Sequence, residues 1–311
     1  MILLSHFQQT PISYILPQDH AVPYEVKIQC DGYIPILGGQ EGTVAVTMGV
    51  KAQGLPKDSD GNEQASIDLT ALKVVFNGAD LPFNAENARP YFPKTTVSLT
   101  PEGKVTKNNA PNVNLPVKLP GLDPRRFPEI TFVPVEFPVG GVSEGQEWTY
   151  KKAFGDTDVT YKLKATKVSN NSVTVEIKLA QEYDVIEDDS HNLAMDPKDK
   201  AYDVHTVLNG TGEASFDRKL NLVSLVSMEA VANSTVVDIK SKESTSRKMT
   251  THITTRIADA ATVAADEPKG DWVQTAKLYG KIAVQKASQW ASRSWSELTH
   301  WLVAMFGFAG N

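Results

Sequence analysis

Three short stretches contain residue types that could support catalysis or metal binding. The first is GVSEG at 141–145, which matches the G-x-S-x-G pattern of hydrolases with a nucleophilic serine. That chemistry requires Ser143 on a strained turn between a buried strand and a helix. The following residues, QEWTYKKAF, are typical of a strand, so no helix is predicted there. The pattern therefore indicates a loop and not a nucleophile.

The second stretch, DSDGNE, is similar to part of a calcium-binding loop, because Asp58, Asp60 and Asn62 could direct oxygen atoms at one cation. An EF-hand loop has glycine at its sixth position and a bidentate acid at its twelfth. Glu63 and Leu69 occupy those positions here. The same residues are typical of a hairpin turn, which is the structure we predict.

The third stretch, 182–205, is strongly acidic and includes two histidines. Such carboxylates could hold a divalent ion or act as an acid and base pair. Neither H-x-x-x-H nor H-E-x-x-H spacing occurs, so we predict a solvated acidic loop between two strands, while cation binding stays open. The titratable residues concerned are Asp184, Glu187, Asp188, Asp189, His191, Asp196, Asp203 and His205.

The composition narrows the functional classes further. Hydrophobic residues at 41% and charged residues at 22% are typical of a folded globular protein. The net charge is -6 and the basic residues are scattered, which excludes nucleic acid as an expected partner. Cys30 is the only cysteine, so neither an intrachain disulfide nor a cysteine-based zinc site can form. We therefore predict a protein that is not an enzyme and has no catalytic residue, metal ligand or cofactor.

Alternation of apolar and polar residues predicts that most of the chain is strand. In SVTVEIKLAQEY, residues Val173 to Leu179 alternate with polar residues, which places one set on a buried face. In SIDLTALKVVF the alternation changes phase, which predicts a β-bulge near Thr70 or Ala71. Turn-forming residues separate the runs, and this pattern indicates an antiparallel sheet.

A faint internal repeat suggests how the chain is organised. VSLTPEGKV at 97–105 aligns without gaps on ASFDRKLNL at 214–222, and two alternating strands precede each. We interpret this as a duplicated β-meander whose two antiparallel halves form curved sheets or a half-barrel. The predicted regions are a first half at 1–107, a proline-rich strap at 108–144, a second half at 145–257, and a linker with a C-terminal helix at 258–311.

Prolines recur every few residues in the strap, residues 108–144. Proline fixes the backbone φ angle and cannot donate a ladder hydrogen bond, so this segment is not a central strand. It is also rich in valine, leucine and phenylalanine. We predict an extended segment that crosses between the two halves and buries alternate side chains.

The C-terminal residues predict one long amphipathic α-helix, or two helices separated near 292–294. Apolar residues recur there at helical spacing: Trp272, Ala276, Tyr279, Ala283, Ala287, Trp290, Leu298, Trp301 and Met305. Arg293, Glu297 and His300 interrupt the run, which excludes a transmembrane helix. Packing on the protein itself is the favoured role, with binding to a membrane surface or partner as alternatives. The predicted ligand or partner contacts are Trp290, Trp295, Trp301 and Phe306.

Two segments, FPVGGVSEGQEWTYK and GEASFDRKLNL, support a resemblance. The matching residues are Pro138, Val142, Gly145, Trp148, Phe216, Asp217 and Leu222. On these residues the chain resembles a group of uncharacterised bacterial envelope proteins of β-meander type, which are themselves similar to half-barrels that carry lipids or lipoproteins. The resemblance implies a non-enzymatic envelope protein that binds a lipid or other apolar ligand within curved sheets.

The alternative hypothesis is a structural or protein-interaction module that uses the tryptophan-rich C-terminal helix. The first residues, MILLSHFQQTPISY, lack the basic region of a complete signal peptide. We therefore expect a periplasmic or envelope location if an export signal lies upstream of Met1, and a cytoplasmic one otherwise.

Overall fold

The computed structural model describes residues 11–34, 40–81, 84–111, 124–154, 157–189, 191, 194 and 197–258. These residues form one antiparallel sheet of twelve strands that does not close on itself. The strands are β1 (Val22–Ile34), β2 (Gln40–Leu55), β3 (Glu63–Phe76), β4 (Ala79–Asp80), β5 (Thr95–Leu99), β6 (Val105–Asn108), β7 (Glu147–Phe154), β8 (Thr157–Val168), β9 (Ser172–Glu187), β10 (Tyr202–Asp217), β11 (Leu222–Asp238) and β12 (Ser244–Ile257). The prediction of a mainly β protein with an antiparallel sheet is confirmed.

The strand order is β6-β5-β3-β2-β1-β12-β11-β10-β9-β8-β7, with β4 paired to β3. The strands of the first and second predicted halves therefore lie on the two sides of one continuous sheet. The pairing of β1 with β12 joins them, from Tyr24 opposite Ile257 to Gly32 opposite Met249. Whether the halves arose by duplication remains a prediction, although both aligned hairpins have a register shift at the same aligned position, Ser98/Leu99 and Ser215/Phe216.

The alternating sequence pattern places side chains on the two faces as predicted. In β9, Val173, Val175 and Ile177 are buried while the residues between them are more exposed. The change of phase in β3 is a β-bulge, because Val50 pairs with Leu69 and Gly49 pairs with Ala71. Thr70 is therefore the additional residue, and both apolar runs of β3 can face the core.

The described part of the strap is more compact and more buried than predicted. It begins with a 3₁₀ turn and a single-turn helix, α2 (Phe127–Ile130), which the proline pattern did not predict; another single-turn helix, α1 (Ala85–Ala88), precedes β5. After α2 the chain is extended, but Phe132, Val133 and Val135 are all fully buried. The predicted alternation of buried side chains holds from Val135 to Pro138, but it fails from Thr131 to Val135, where every residue is buried because the chain there is enclosed on both sides.

Neighbouring residues of the strap contact strands near opposite edges of the sheet. The indole N–H of Trp148 in β7 donates to the carbonyl of Glu136 at 2.7 Å. The next residue, Phe137, donates its backbone N–H to Glu102 in the turn between β5 and β6 at 2.9 Å. Since β6 and β7 are the two ends of the strand order, the sheet must curve around the strap.

One end of the curved sheet, which we call the proximal end, is filled by aromatic side chains. Phe216 of β10 packs against Tyr14 at 5.3 Å and against Phe137 at 5.4 Å between ring centroids, both edge to face. Phe137 also contacts Trp148 at 6.0 Å. Backbone hydrogen bonds tie the segment before β1 to this end, including Ile15 N–H to the Asn221 carbonyl at 3.2 Å. We call this cluster and the buried strand residues around it the proximal core.

The predicted C-terminal amphipathic helix lies outside the described residues. The helices within the described ranges are single turns, and none of them has the length or apolar character needed to cross a bilayer.

Candidate apolar binding surface

Strands β9 to β12 continue beyond the proximal core and present a second set of inward-facing residues. The strand register places them in rows across the four strands, because directly paired residues share a face. The first row contains Leu179, Gly210, Ala230 and Thr251, and the second contains Gln181, Leu208, Ala232 and Met249. The fourth row contains Val185, Val204 and Val236. We call these rows, together with Tyr183, Thr206 and Ser234 between them, the distal inner face.

The distal inner face is covered less completely than the proximal core. On β9, Ile177 is 1% exposed, whereas Leu179, Tyr183 and Val185 on the same face are only partly buried. Leu208 of β10 is partly buried as well. The strap contacts β12 where the Thr255 hydroxyl donates to a carbonyl at the end of α2, which lies on the proximal side of these rows. Leu179, Val185 and Leu208 therefore remain partly accessible on a concave surface, whereas Val204, Ala232 and Val236 in the same rows are buried.

Small residues make this surface smooth. Gly210 in the first of these rows, and Gly212 in the row on its proximal side, lie beneath the side chains of Leu179 and Met228, which occupy the space that a β-carbon would need. A β-carbon on Gly210 would lie 2.9 Å from Cγ of Leu179, and one on Gly212 would lie 2.5 Å from Cγ of Met228. The two apolar side chains consequently lie flat across the neighbouring strand. Such a surface suits an extended apolar molecule better than a compact polar one.

A polar cluster, which we call the clasp, marks the distal margin of this face. Arg247 of β12 donates two hydrogen bonds from Nη1 to the carboxylate of Glu187 in β9, at 3.0 and 2.8 Å. These strands are three positions apart, and a flat sheet would separate them by about 14 Å. The ion pair therefore spans the concave side, which shows that the sheet curves strongly here.

Two aromatic residues and a histidine complete the clasp. Arg247 Nη2 lies 2.9 Å from Nδ1 of His191, and the guanidinium lies 4.0 Å from the ring centroid of Tyr33. The same Nδ1 lies 3.2 Å from Oε2 of Glu187, so the imidazole contacts both members of the ion pair. His191 also stacks on Tyr202 with ring centroids 4.3 Å apart. The charges of Arg247 and Glu187 compensate each other, as a buried pair requires.

Burial dominates the titration behaviour of the tyrosines here. Burial and, to a smaller extent, the carboxylate of Glu187 raise the pKa of Tyr33, Arg247 opposes both effects, and the resulting pKa is about 12. The Tyr33 hydroxyl is buried and has no hydrogen-bond partner within the described ranges. Burial also raises the pKa of Tyr183, although a hydrogen bond with Thr206 counteracts it. Both phenols are neutral at physiological pH, so the ion pair is the charged part of the clasp.

The three chemically suggestive stretches occupy separate places. Ser143 lies in a loop before β7, and its hydroxyl lies 3.3 Å from Oε1 of Gln146. This geometry lacks the following helix that the nucleophile motif requires, as the sequence predicted.

Asp58 forms a tight turn between β2 and β3. Its Oδ1 accepts the backbone N–H groups of Asp60 and Asn62, each at 2.9 Å. Desolvation raises the pKa of Asp58, but hydrogen bonds, chiefly from Asn62, outweigh that effect and lower it to about 2. Lys107 reaches Asp60 at 2.8 Å and closes the turn. The hairpin-turn interpretation is confirmed, and turn geometry accounts for these acidic residues.

The acidic stretch is shorter as a loop than predicted, because β9 extends to Glu187 and β10 begins at Tyr202. Because side chains alternate along a strand, the acidic residues of this stretch that belong to β9 lie on opposite faces of the sheet. Glu187 joins the clasp on the inner side, while Asp184 faces outward and contacts His205 at 2.9 Å. Within the described part of the chain, no three histidine, cysteine or acidic side chains converge as a metal site would require.

A separate apolar groove of about 420 Å³ lies at the proximal end. Ile15 and Leu220 line it and are 46% and 50% exposed, and Leu222 and Ile257 form its deeper wall. Ile257 is the last residue of β12, and the next residue, Ala258, donates its backbone N–H to the carbonyl of Pro23 at 3.1 Å. The groove therefore lies beside the point at which the chain continues to residue 259.

The predicted contact residues Trp290, Trp295, Trp301 and Phe306 lie outside the described residues, so the structure does not place them. The clasp was missed by sequence reasoning, which assigned Glu187 and His191 to a solvated loop. Arg247 stands in a polar strand without apolar alternation, and its partner Glu187 is 60 residues away. The alternation of Tyr183 and Val185 with acidic residues was the available indication that β9 continues.

The chain matches no known family model and no curated protein. Among solved structures, it is similar to a chain described as "lipid-protein interactions in lipovitellin", with 10% identity and a TM-score of 0.45 over 79% of this chain. It spans about a quarter, 26%, of that lipovitellin chain. An outer membrane channel of Pseudomonas putida F1 is matched at 9% identity over 83% of this chain and 100% of the channel, with a TM-score of 0.15. These values are too low to support any inference about function.

Proposed function

We propose that this protein binds an elongated apolar ligand, of the lipid class, on the distal inner face. The observation that supports this proposal is the partial exposure of Leu179, Val185 and Leu208 on a concave surface whose proximal continuation is closely packed. Each methylene group buried there would contribute about 0.8 kcal/mol. An extended acyl chain could thus gain substantial affinity without polar contacts.

The clasp supports an uncharged or weakly polar end for such a ligand. Because Glu187 already compensates Arg247, a free carboxylate would be repelled by Glu187 as well as attracted by Arg247. An ester or amide end, in contrast, carries no charge for Glu187 to repel. We propose a binding role without catalysis and, on the resemblance alone, a location in the envelope.

A pair of adjacent substitutions tests the binding surface. Leu208 faces inward and Val207, beside it on β10, faces outward and is 37% exposed. Leu208→Glu places a charge among apolar groups, so we expect binding of a fluorescent fatty-acid ester to weaken about tenfold or more. Val207→Glu changes the net charge equally and should leave affinity within about twofold.

Titration of the full-length protein with the fluorescent ester measures both affinities, and thermal unfolding verifies that each variant is folded. Equal affinities for Leu208→Glu and Val207→Glu would place the ligand elsewhere and contradict the proposal.

A further inference from the structure

We propose that the proximal groove is the docking site of this chain's own segment 271–311. This inference does not depend on the proposed ligand, because the groove and the distal inner face are at opposite ends of the sheet. The groove is lined mainly by apolar residues, with His20, Lys219 and Asn221 among them, and its large residues Ile15 and Leu220 remain about half exposed. Exposed aliphatic residues that line a concavity are typical of a surface with a binding partner.

The position at which the chain leaves the sheet identifies the occupant. Ile257 is part of the groove wall, and the hydrogen bond from Ala258 to Pro23 fixes the start of the following residues at its edge. Only the linker 259–270 separates this point from the segment. A linker of that length spans about 20 Å as a random coil and gives an effective concentration in the millimolar range. Intramolecular docking is therefore favoured over binding of a second molecule.

The composition of the segment matches the groove. It contains four of the five tryptophans, and its apolar residues recur at the spacing of an amphipathic helix. Tryptophan side chains bury large apolar areas and are frequent anchors in apolar pockets. The groove volume of about 420 Å³ lies in the usual range for small-molecule pockets in proteins. The segment thus contains the large apolar side chains that could cover the partly exposed residues of the groove.

Cross-linking in the full-length protein provides the test. Leu220→Cys introduces a thiol at an exposed turn, while the native Cys30 is buried and burial raises its thiol pKa, which makes it unreactive. After attachment of a short photo-reactive group, we expect intramolecular cross-links to residues 271–311. Val139→Cys is the matched control, because Val139 is 84% exposed on the strap and does not line the groove. Its yield of such cross-links should be several-fold lower.

A second measurement uses the tryptophans themselves. Leu220→Glu should release the segment and shift the tryptophan emission to longer wavelength, whereas Val139→Glu should not. The shift should persist in the presence and absence of the fluorescent ester, which separates this inference from the ligand proposal.

Cross-links between molecules that increase with protein concentration would show that a second copy occupies the groove and would overturn the inference. Equal cross-linking from both cysteine positions would also overturn it, as would an unchanged emission spectrum in Leu220→Glu.

Discussion

The proximal core and the distal inner face belong to the same strands, yet they differ in what covers them. On β10, Phe216 is 1% exposed and packs against Tyr14 and Phe137, whereas Leu208 on the same face is partly exposed. The segment before β1 and the strap fill the proximal end. At the distal end, the clasp closes the margin with an ion pair. The comparison shows that the alternation of apolar and polar residues determines which side chains face inward. Segments distant in sequence then determine whether those side chains are covered or remain accessible.

The difference has an energetic meaning. Apolar side chains in the proximal core stabilise the fold, because their burial is complete in the absence of any ligand. The same residue types on the distal inner face retain part of their unfavourable exposure. A ligand that covered these side chains would therefore gain the free energy of their burial.

The largest expected effect distinguishes the two regions directly. Phe216→Ala should lower the free energy of unfolding by about 3–5 kcal/mol, because it leaves a cavity within a closely packed cluster. Leu208→Ala should lower it by only about 1 kcal/mol, because the side chain is already partly exposed. Urea unfolding of both variants measures the difference. Similar losses for the two would mean that the distal inner face is ordinary core.

A smaller effect is expected at the clasp. Glu187→Gln leaves Arg247 buried without a compensating charge, since their side chains are 6% and 11% exposed. We expect a loss of about 3 kcal/mol, at the lower end of the range for a broken buried pair. The double variant Glu187→Leu with Arg247→Leu should recover most of that loss, because no uncompensated charge remains. Additive losses in the double variant would show that the two residues do not act as a pair.

The smallest predicted effect is a change of stability with pH at Tyr33. Its pKa is raised to about 12 in the folded protein, above the value of about 10 for an exposed phenol. A raised pKa means that the contribution to stability is present below about pH 10 and is lost as the pH rises towards 12. Tyr33→Phe should lack this component, which urea unfolding across that range detects. An identical pH profile for the variant would show that Tyr33 is solvated and that the clasp is open.

Local sequence pattern predicted much of the fold. The alternation in β9 identified Val173, Val175 and Ile177 as buried, and the phase change near Thr70 located a bulge that the strand register confirms. Both features depend on neighbouring residues along one strand, which is why sequence alone was sufficient. The helical turn α2 was missed because prolines in the strap suggested extension, although proline is tolerated in the first turn of a helix, where Pro128 lies.

The candidate site was less predictable from the sequence, because it forms only where the curvature of the sheet brings distant strands together. Arg247 and Glu187 meet only because β9 and β12 approach across the concave side, and no local pattern encodes that approach. The partial exposure of Leu208 likewise depends on which segments, distant in sequence, pack over β10. The predicted contacts at Trp290, Trp295, Trp301 and Phe306 remain predictions, now connected to the proximal groove by the docking inference.

Native mass spectrometry of the gently purified full-length protein tests the central claim most directly. We predict co-purified apolar mass on the unmodified protein and on Val207→Glu, and its loss from Leu208→Glu. A ligand-free protein in all three samples, or equal retention of the bound mass by Leu208→Glu, would contradict the account.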